Sequence, residues 1–141
     1  MTKAQDRKVL VLGVDGMDPR LSRKFLKKGV MPNLQKLIDR GSCREDLVLL
    51  GGHPTVTPPM WTTLACGCYA NVHGITAFYR QSADKPLDTI EYNMDSTKCQ
   101  AEPMWNACAE AGKKTLVWHW PGSSWAPTSD SPNLMVVDGS S

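Results

Sequence analysis

The sequence predicts a three-layer α/β fold in which helices cover both faces of a mostly parallel sheet. Val9–Val14 is continuously apolar rather than alternating, which is typical of a strand buried on both faces. Thr115–Trp120 is predicted to be a second buried strand, ended by Pro121 and Gly122. Segments with helical periodicity lie between the two runs. We therefore expect them to be central strands, parallel to each other.

Two helices are predicted after the first strand. The first runs from Pro19 to Lys28 and ends at Gly29, and the second, Pro32–Arg40, ends at Gly41. Asp18 precedes the proline of the first helix and is its predicted N-cap. The side chains expected to face inward are Leu21, Phe25, Leu26, Leu34, Leu37 and Ile38.

A strand at Asp46–Leu50 is predicted to lead into a proline-rich loop and a third helix. That helix should run from Pro58 to Cys66, because proline is tolerated in the first turn of a helix and Gly67 is a stop signal. Thr57 is the predicted N-cap. As an N-cap, its hydroxyl would lie in the positive end of the helix dipole, near backbone N–H groups that can hold an anion.

The remainder of the chain alternates loops with short elements. Thr76–Lys85 is predicted to be loop, and Leu87–Tyr92 an edge strand or hairpin arm. Glu102–Ala111 is predicted to be a helix, with Met104, Trp105 and Cys108 facing inward. Leu134–Val137 is predicted to be the last strand.

Asp15 and Thr57 are the two residues with the clearest chemical potential. Asp15 follows the first predicted strand, at the sheet edge where open α/β folds bind ligands. Because Asp18 is the better helix cap, Asp15 is available for another role. A carboxylate and a hydroxyl are hard oxygen ligands for a metal ion. The alternative is that Thr57 only caps its helix and Asp15 is an ordinary loop carboxylate.

Composition favours one globular domain, residues 1–141. The 16 basic and 14 acidic residues leave no excess of charge for nucleic-acid binding. No apolar run has transmembrane length, and no signal peptide is recognisable after Met1. The five cysteines form no CxxC pair. They are therefore expected to be reduced and mostly buried thiols, typical of a cytoplasmic protein.

Four blocks of the sequence resemble the amino-terminal part of a known enzyme family. VLVLGVDGMDP, MPNLQKLIDRGS, PTVTPPMWTTLACG and HGI are similar, in order and spacing, to the type I phosphodiesterase/nucleotide pyrophosphatase family of the alkaline phosphatase superfamily. The resemblance implies a doubly wound α/β hydrolase with two zinc ions. It assigns metal ligation to Asp15 and Thr57 and makes Thr57 the nucleophile. It also makes His73 structural.

The chain departs from the family pattern in ways that bear on activity. Phe78 stands where the nucleotide pyrophosphatase branch has an asparagine that helps to hold the phosphoryl oxygens. Arg80, close by, is a candidate phosphate ligand, and Trp120 a candidate wall of the substrate pocket, although a solvated arginine and a core tryptophan are the open alternatives. The family's later D-x-x-x-H and Asp-His motifs are missing. The resemblance thus implies the amino-terminal portion of a longer enzyme, inactive alone.

The expected function is metal-dependent hydrolysis of phosphodiester or pyrophosphate bonds in a small-molecule substrate, through a threonine nucleophile. Two alternatives from other classes stay open. One is a non-catalytic α/β binding domain. The other is a domain that self-associates through an unpaired sheet edge, because such an edge is a template for pairing with another chain.

Overall fold

The computed structural model describes residues 7–44, 55–82, 84–124 and 127–137. The chain divides into two compact units, Met1–Leu47 and Val48–Ser141. The predicted strand Asp46–Leu50 lies outside the described residues. Within the described ranges, no helix combines the length and the apolar character that crossing a membrane requires.

The first unit contains two helices, α1 (Pro19–Lys27) and α2 (Pro32–Arg40), which agree with the predicted bounds to within one residue. Asp18 is the N-cap of α1, as predicted: its Oδ1 accepts hydrogen bonds from the backbone N–H groups of Arg20 at 2.7 Å and Leu21 at 3.0 Å. These two bonds stabilise the carboxylate, the Leu21 bond most, and hold the Asp18 pKa below its usual value. Neither helix has a fully buried residue.

The run Val9–Val14 does not form the predicted buried strand. Its backbone has no strand assignment, and its Val and Leu side chains are 54–83% exposed. A strand buried on both faces needs hydrogen-bonded neighbours and a cover on each side, whereas the other described elements of this unit are two helices. The prediction that Val9–Val14 is a buried central strand is therefore wrong in this structure, and its parallel pairing with Thr115–Trp120 is not confirmed. The three-layer arrangement stays a prediction for a chain that is mixed α/β with small sheets.

The second unit holds the remaining elements in mixed α/β order. They are α3 (Thr57–Cys66), α4 (Ala70–His73), β1 (Tyr79–Arg80), β2 (Glu91–Tyr92), a 3-10 helix (Ser96–Lys98), α5 (Met104–Glu110), β3 (Thr115–Trp118) and β4 (Leu134–Val137). β1 and β2 are antiparallel, with Tyr79 opposite Tyr92. β1 falls inside the segment predicted to be loop throughout, and β2 lies in the predicted edge strand. β4 has the predicted bounds.

β3 pairs in parallel with β4, with Thr115 opposite Leu134 and Trp118 opposite Val137. The strand ends two residues before the predicted end at Trp120. His119 has a φ of +47°, which is left-handed backbone that cannot continue a strand. It is the only non-glycine residue with positive φ in the described ranges. The chain therefore turns at His119 and leaves the sheet there.

The core of this unit lies where α3, α5 and the β3–β4 sheet meet. Ala65, Trp105 and Val117 are buried together, and Cys66, Trp120, Leu134 and Val136 pack against them. On α5, Trp105 and Ala109 are buried, whereas Met104 and Cys108 are exposed, contrary to prediction. Trp105 and Ala109 are four residues apart, and so are Met104 and Cys108. Each pair therefore lies on one face of the helix, and the sequence pattern alone does not decide which pair faces the sheet.

We predict that replacing Val117 with alanine lowers the free energy of unfolding by about 2 kcal/mol, because two buried methyl groups leave a cavity. Leu116→Ala is the matched control, since Leu116 is 58% exposed and Val117 only 5%. Its effect should stay within about 0.5 kcal/mol. Urea unfolding of both variants checks this. Equal losses would contradict the assigned orientation of β3.

Candidate functional site

Thr57 is the first residue of α3, and Val56 is the N-cap. The prediction that Thr57 itself is the cap is therefore wrong by one position. Val56 makes no side-chain capping bond, and the backbone N–H of Met60 donates to the Val56 carbonyl at 3.3 Å. The Thr57 side chain is half-buried. Its hydroxyl still lies in the first turn, within reach of the positive end of the helix dipole.

The backbone donors expected beside Thr57 are largely missing. Pro58 and Pro59 follow it, and proline has no N–H. The next residue, Met60, already donates its N–H within the helix. A phosphate held at this helix terminus would therefore find fewer backbone donors than an ordinary helix start provides. This corrects the expectation that the Thr57 hydroxyl lies near backbone N–H groups that can hold an anion.

The helix that carries Thr57 is fixed by its surroundings. Pro58 and Pro59 are fully buried, and the Thr62 hydroxyl donates to the Pro58 carbonyl at 2.7 Å. The indole N–H of Trp120 donates to the carbonyl of Trp61 at 3.4 Å. These contacts hold the first turn of α3 in place, which is a requirement for any side chain that must be aimed at a substrate.

His73 is buried with both ring nitrogens in contact. Its Nδ1 accepts the N–H of Ile75 at 3.1 Å, so the proton of the neutral ring is on Nε2, which lies 3.1 Å from the Thr63 hydroxyl oxygen. Burial lowers the pKa of His73 and favours this neutral form. The arrangement agrees with a structural role, as the sequence predicts, and leaves no ring nitrogen for a metal.

Asp15 lies in an exposed turn of the first unit and is followed by Gly16, whose φ is +64°. Glycine adopts a positive φ without steric cost, so the geometry of this turn explains why residue 16 is a glycine. Thr57 belongs to the second unit. The pairing of Asp15 with Thr57 as metal ligands stays a prediction. Within the described ranges, no three His, Cys, Asp or Glu side chains come together as a candidate metal site.

Arg80 belongs to a charged cluster on the β1–β2 hairpin that sequence analysis missed. Its Nε donates to Glu91 at 3.3 Å, opposite it in the hairpin register. Lys85 and Lys98 lie 2.6 and 3.7 Å from the same carboxylate. Hydrogen bonds from Lys85 and then from Ser82 lower the Glu91 pKa to about 2. The only sequence signal for this cluster was the partly alternating segment Leu87–Tyr92, which predicted a hairpin arm. It does not show that Arg80 lies opposite Glu91.

Trp120 lies in an aromatic cluster with Trp61 and Trp105. The Trp120 ring meets Trp61 edge-on, with centroids 4.9 Å apart, and Trp105 at 5.8 Å. It is half-buried. This environment agrees with the core alternative for Trp120, and its role in substrate binding stays a prediction. Phe78, at the position of the family's asparagine, is 40% exposed and precedes β1.

Comparison with known proteins identifies one family. The family model of type I phosphodiesterase / nucleotide pyrophosphatase matches residues 9–138. The match includes Asp15, Thr57, Arg80 and Trp120, and confirms the family that the four sequence blocks resemble. No solved structure matches the chain.

We predict that Glu91→Gln destabilises the protein at pH 7 and has little effect near pH 2. The folded-state pKa of about 2 lies below the ordinary value of 4.5. The stability that the carboxylate contributes is therefore complete above about pH 4.5 and is lost as pH falls through about 2. Thermal melts across this range check the prediction, with Glu102→Gln, at an exposed position, as control. A pH-independent deficit would contradict the assigned ion pairs.

Proposed function

We propose, since the chain belongs to the type I phosphodiesterase / nucleotide pyrophosphatase family, that Thr57 is the nucleophile in hydrolysis of phosphodiester or pyrophosphate bonds. The observation that supports this most is the position of Thr57 at the start of α3, a helix whose first turn is buried and held in place. Membership of the family supports a phosphodiesterase- or pyrophosphatase-like hydrolase in general. The threonine nucleophile and the small-molecule substrate are our proposals.

The proposed reaction has two steps. The Thr57 oxygen attacks phosphorus and the bond to the leaving group breaks, so that the leaving group departs with a proton as an alcohol or phosphate and the threonine carries the phosphoryl group. Water then attacks the same phosphorus, which restores the threonine hydroxyl and releases the product. Both steps place negative charge on the phosphoryl oxygens, and this charge needs positive partners.

Arg80 and Trp120 are the proposed substrate contacts. Glu91 bonds the Nε of Arg80, and a guanidinium has further N–H groups that can donate to a phosphate oxygen. Glu91 would then orient Arg80 rather than only neutralise it. Trp120 is half-buried, and its ring is held by Trp61 and Trp105. A ring held in this way could pack against an apolar part of a substrate.

Members of the family are generally metal-dependent, and we propose zinc, with Asp15 and Thr57 as ligands. Zinc takes about four ligands, and two zinc ions take more than two residues can supply. His73 has no ring nitrogen to give, and the described residues form no group of three ligands. The described residues alone therefore do not fit a two-zinc site. For this reason we expect weak zinc binding and little activity from these 141 residues alone.

Self-association is the second candidate, and the exposed run Val9–Val14 favours it. Its valine and leucine side chains are 54–83% exposed, and contiguous apolar surface of this kind often marks an interaction site. Among the described residues β3 and β4 form a two-stranded sheet, and its outer edge is the other proposed contact. The molar mass in solution distinguishes a monomer from an assembly.

A cytoplasmic location is proposed from the cysteine pattern of the sequence.

We predict that Thr57→Ala lowers phosphodiesterase activity on the order of a thousandfold or more, because it removes the attacking oxygen. Thr57→Ser should keep measurable activity, because its hydroxyl can attack in the same way. Both variants should lose no more than about 1 kcal/mol of stability, since Val56 is the N-cap. The assay uses a chromogenic phosphodiester and the complete gene product, with zinc added.

Thr55→Ala is the matched control, because Thr55 is exposed and lies two residues before Thr57, just ahead of α3. It should be as active as the unmodified protein. A thermal melt of every variant separates loss of chemistry from loss of folding. A folded Thr57→Ala protein with unchanged turnover would show that Thr57 is not the nucleophile.

A further inference from the structure

Two cysteines that are distant in sequence meet at the end of α3. Cys66 is the last residue of α3, and Cys99 follows the 3-10 helix. Their Sγ atoms lie 3.6 Å apart, and both are half-buried. Both sulfurs also lie near the carbonyl oxygen of Ala101, Cys99 at 3.2 Å and Cys66 at 3.7 Å. The pair is therefore closely packed and still reached by solvent.

A small cavity adjoins the two thiols. Its volume is about 20 Å³, and both Cys66 and Cys99 line it. This is room for one water-sized molecule. Asn93 also lines the cavity, is only 2% exposed, and has an Oδ1 without a hydrogen-bond partner in the described part of the chain. A small polar molecule could therefore lie beside the sulfurs and donate a hydrogen bond to Asn93.

The hydrogen bond between the two sulfurs shifts the pKa of both thiols. The hydrogen bond between the sulfurs, followed by burial, raises the pKa of Cys66. The same hydrogen bond lowers the pKa of Cys99, because the Cys66 S–H stabilises a thiolate beside it. Either sulfur can donate in the contact between them, so each thiol can stabilise a thiolate on the other.

We infer that Cys66 and Cys99 form an oxidisable dithiol, which hydrogen peroxide reaching the half-buried sulfurs from solvent converts to an intramolecular disulfide. The thiolate of one cysteine attacks one oxygen of hydrogen peroxide, the O–O bond breaks, and that cysteine becomes a sulfenic acid while the other oxygen leaves as water. The sulfur of the other cysteine then attacks the sulfenic sulfur and displaces water. Each thiol gives up one electron and one hydrogen, and the peroxide takes up two electrons.

The geometry suits this second step. A disulfide bond is about 2.05 Å long, so sulfurs 3.6 Å apart must approach by about 1.5 Å. The segment that carries Cys99 is already tied to α4, because the N–H of Gln100 donates to the His73 carbonyl at 3.0 Å. Cys66 and Cys99 are 33 positions apart in the sequence, so a disulfide between them would close a long loop. It would fasten the end of α3 opposite Thr57 to this segment.

The test is to treat the reduced chain with a slight excess of hydrogen peroxide and map the products by non-reducing peptide mass spectrometry. We expect a Cys66–Cys99 cross-linked peptide with the loss of two hydrogen atoms, and three of the five cysteines still titratable as thiols. The oxidised protein should melt roughly 10 °C higher, and dithiothreitol should reverse the shift.

Single-cysteine variants test whether the two thiols act as a pair. In both Cys66→Ser and Cys99→Ser, the remaining cysteine of the pair should stop at a sulfenic acid that dimedone traps. Cys68→Ser is the matched control, because Cys68 is half-buried and lies two residues from Cys66. It should oxidise like the parent. A disulfide to Cys68, a disulfide between chains, or unchanged thiols at Cys66 and Cys99 in the parent protein would overturn the inference.

Discussion

The packing of three tryptophans around α3 is the interaction on which the second unit depends. Trp61 is on α3, Trp105 is on α5, and Trp120 follows β3, so the cluster joins three parts of the chain. Aromatic side chains bury more apolar area than any others, and edge-to-face contacts add to that stabilisation. The Trp120 indole is also satisfied by the Trp61 carbonyl. Because Thr57 and Cys66 are the first and last residues of α3, the cluster fixes the position of both.

A second constraint acts through buried polar groups rather than apolar ones. His73 is completely buried and bonds the Ile75 backbone, while its other nitrogen contacts Thr63 on α3. A buried polar group destabilises the fold unless it is paired, so these contacts fix where α4 lies against α3. They also explain why His73, the histidine of the HGI block, has a structural role here. Its ring has no lone pair left for chemistry.

The parts of the fold that the sequence predicted well are those set by local signals. Asp18 as a cap, proline at the start of α2 and the left-handed Gly67 at the end of α3 all act within a few residues, and α1, α2 and α3 agree with the predicted bounds to within one residue. Strands depend on partners that are distant in sequence. Val9–Val14 has a strand composition but no strand structure, and the early end of β3 follows from the backbone of His119. Neither the Arg80–Glu91 pair nor the Cys66–Cys99 contact has a spacing that a sequence reveals.

The prolines after Thr57 set the chemical problem at the candidate site. Pro58 and Pro59 fix the φ angles of the first turn and are fully buried, so the turn is rigid. The same residues remove two N–H groups that would otherwise point at a bound anion. Thr57, the proposed nucleophile, therefore has few backbone donors beside it, and in the proposed reaction the charge that develops on a phosphoryl group would have to be met by cations. Arg80 is one candidate on this chain. The metal dependence that is general in the family is the other, and it suits a site whose own backbone supplies so little positive charge.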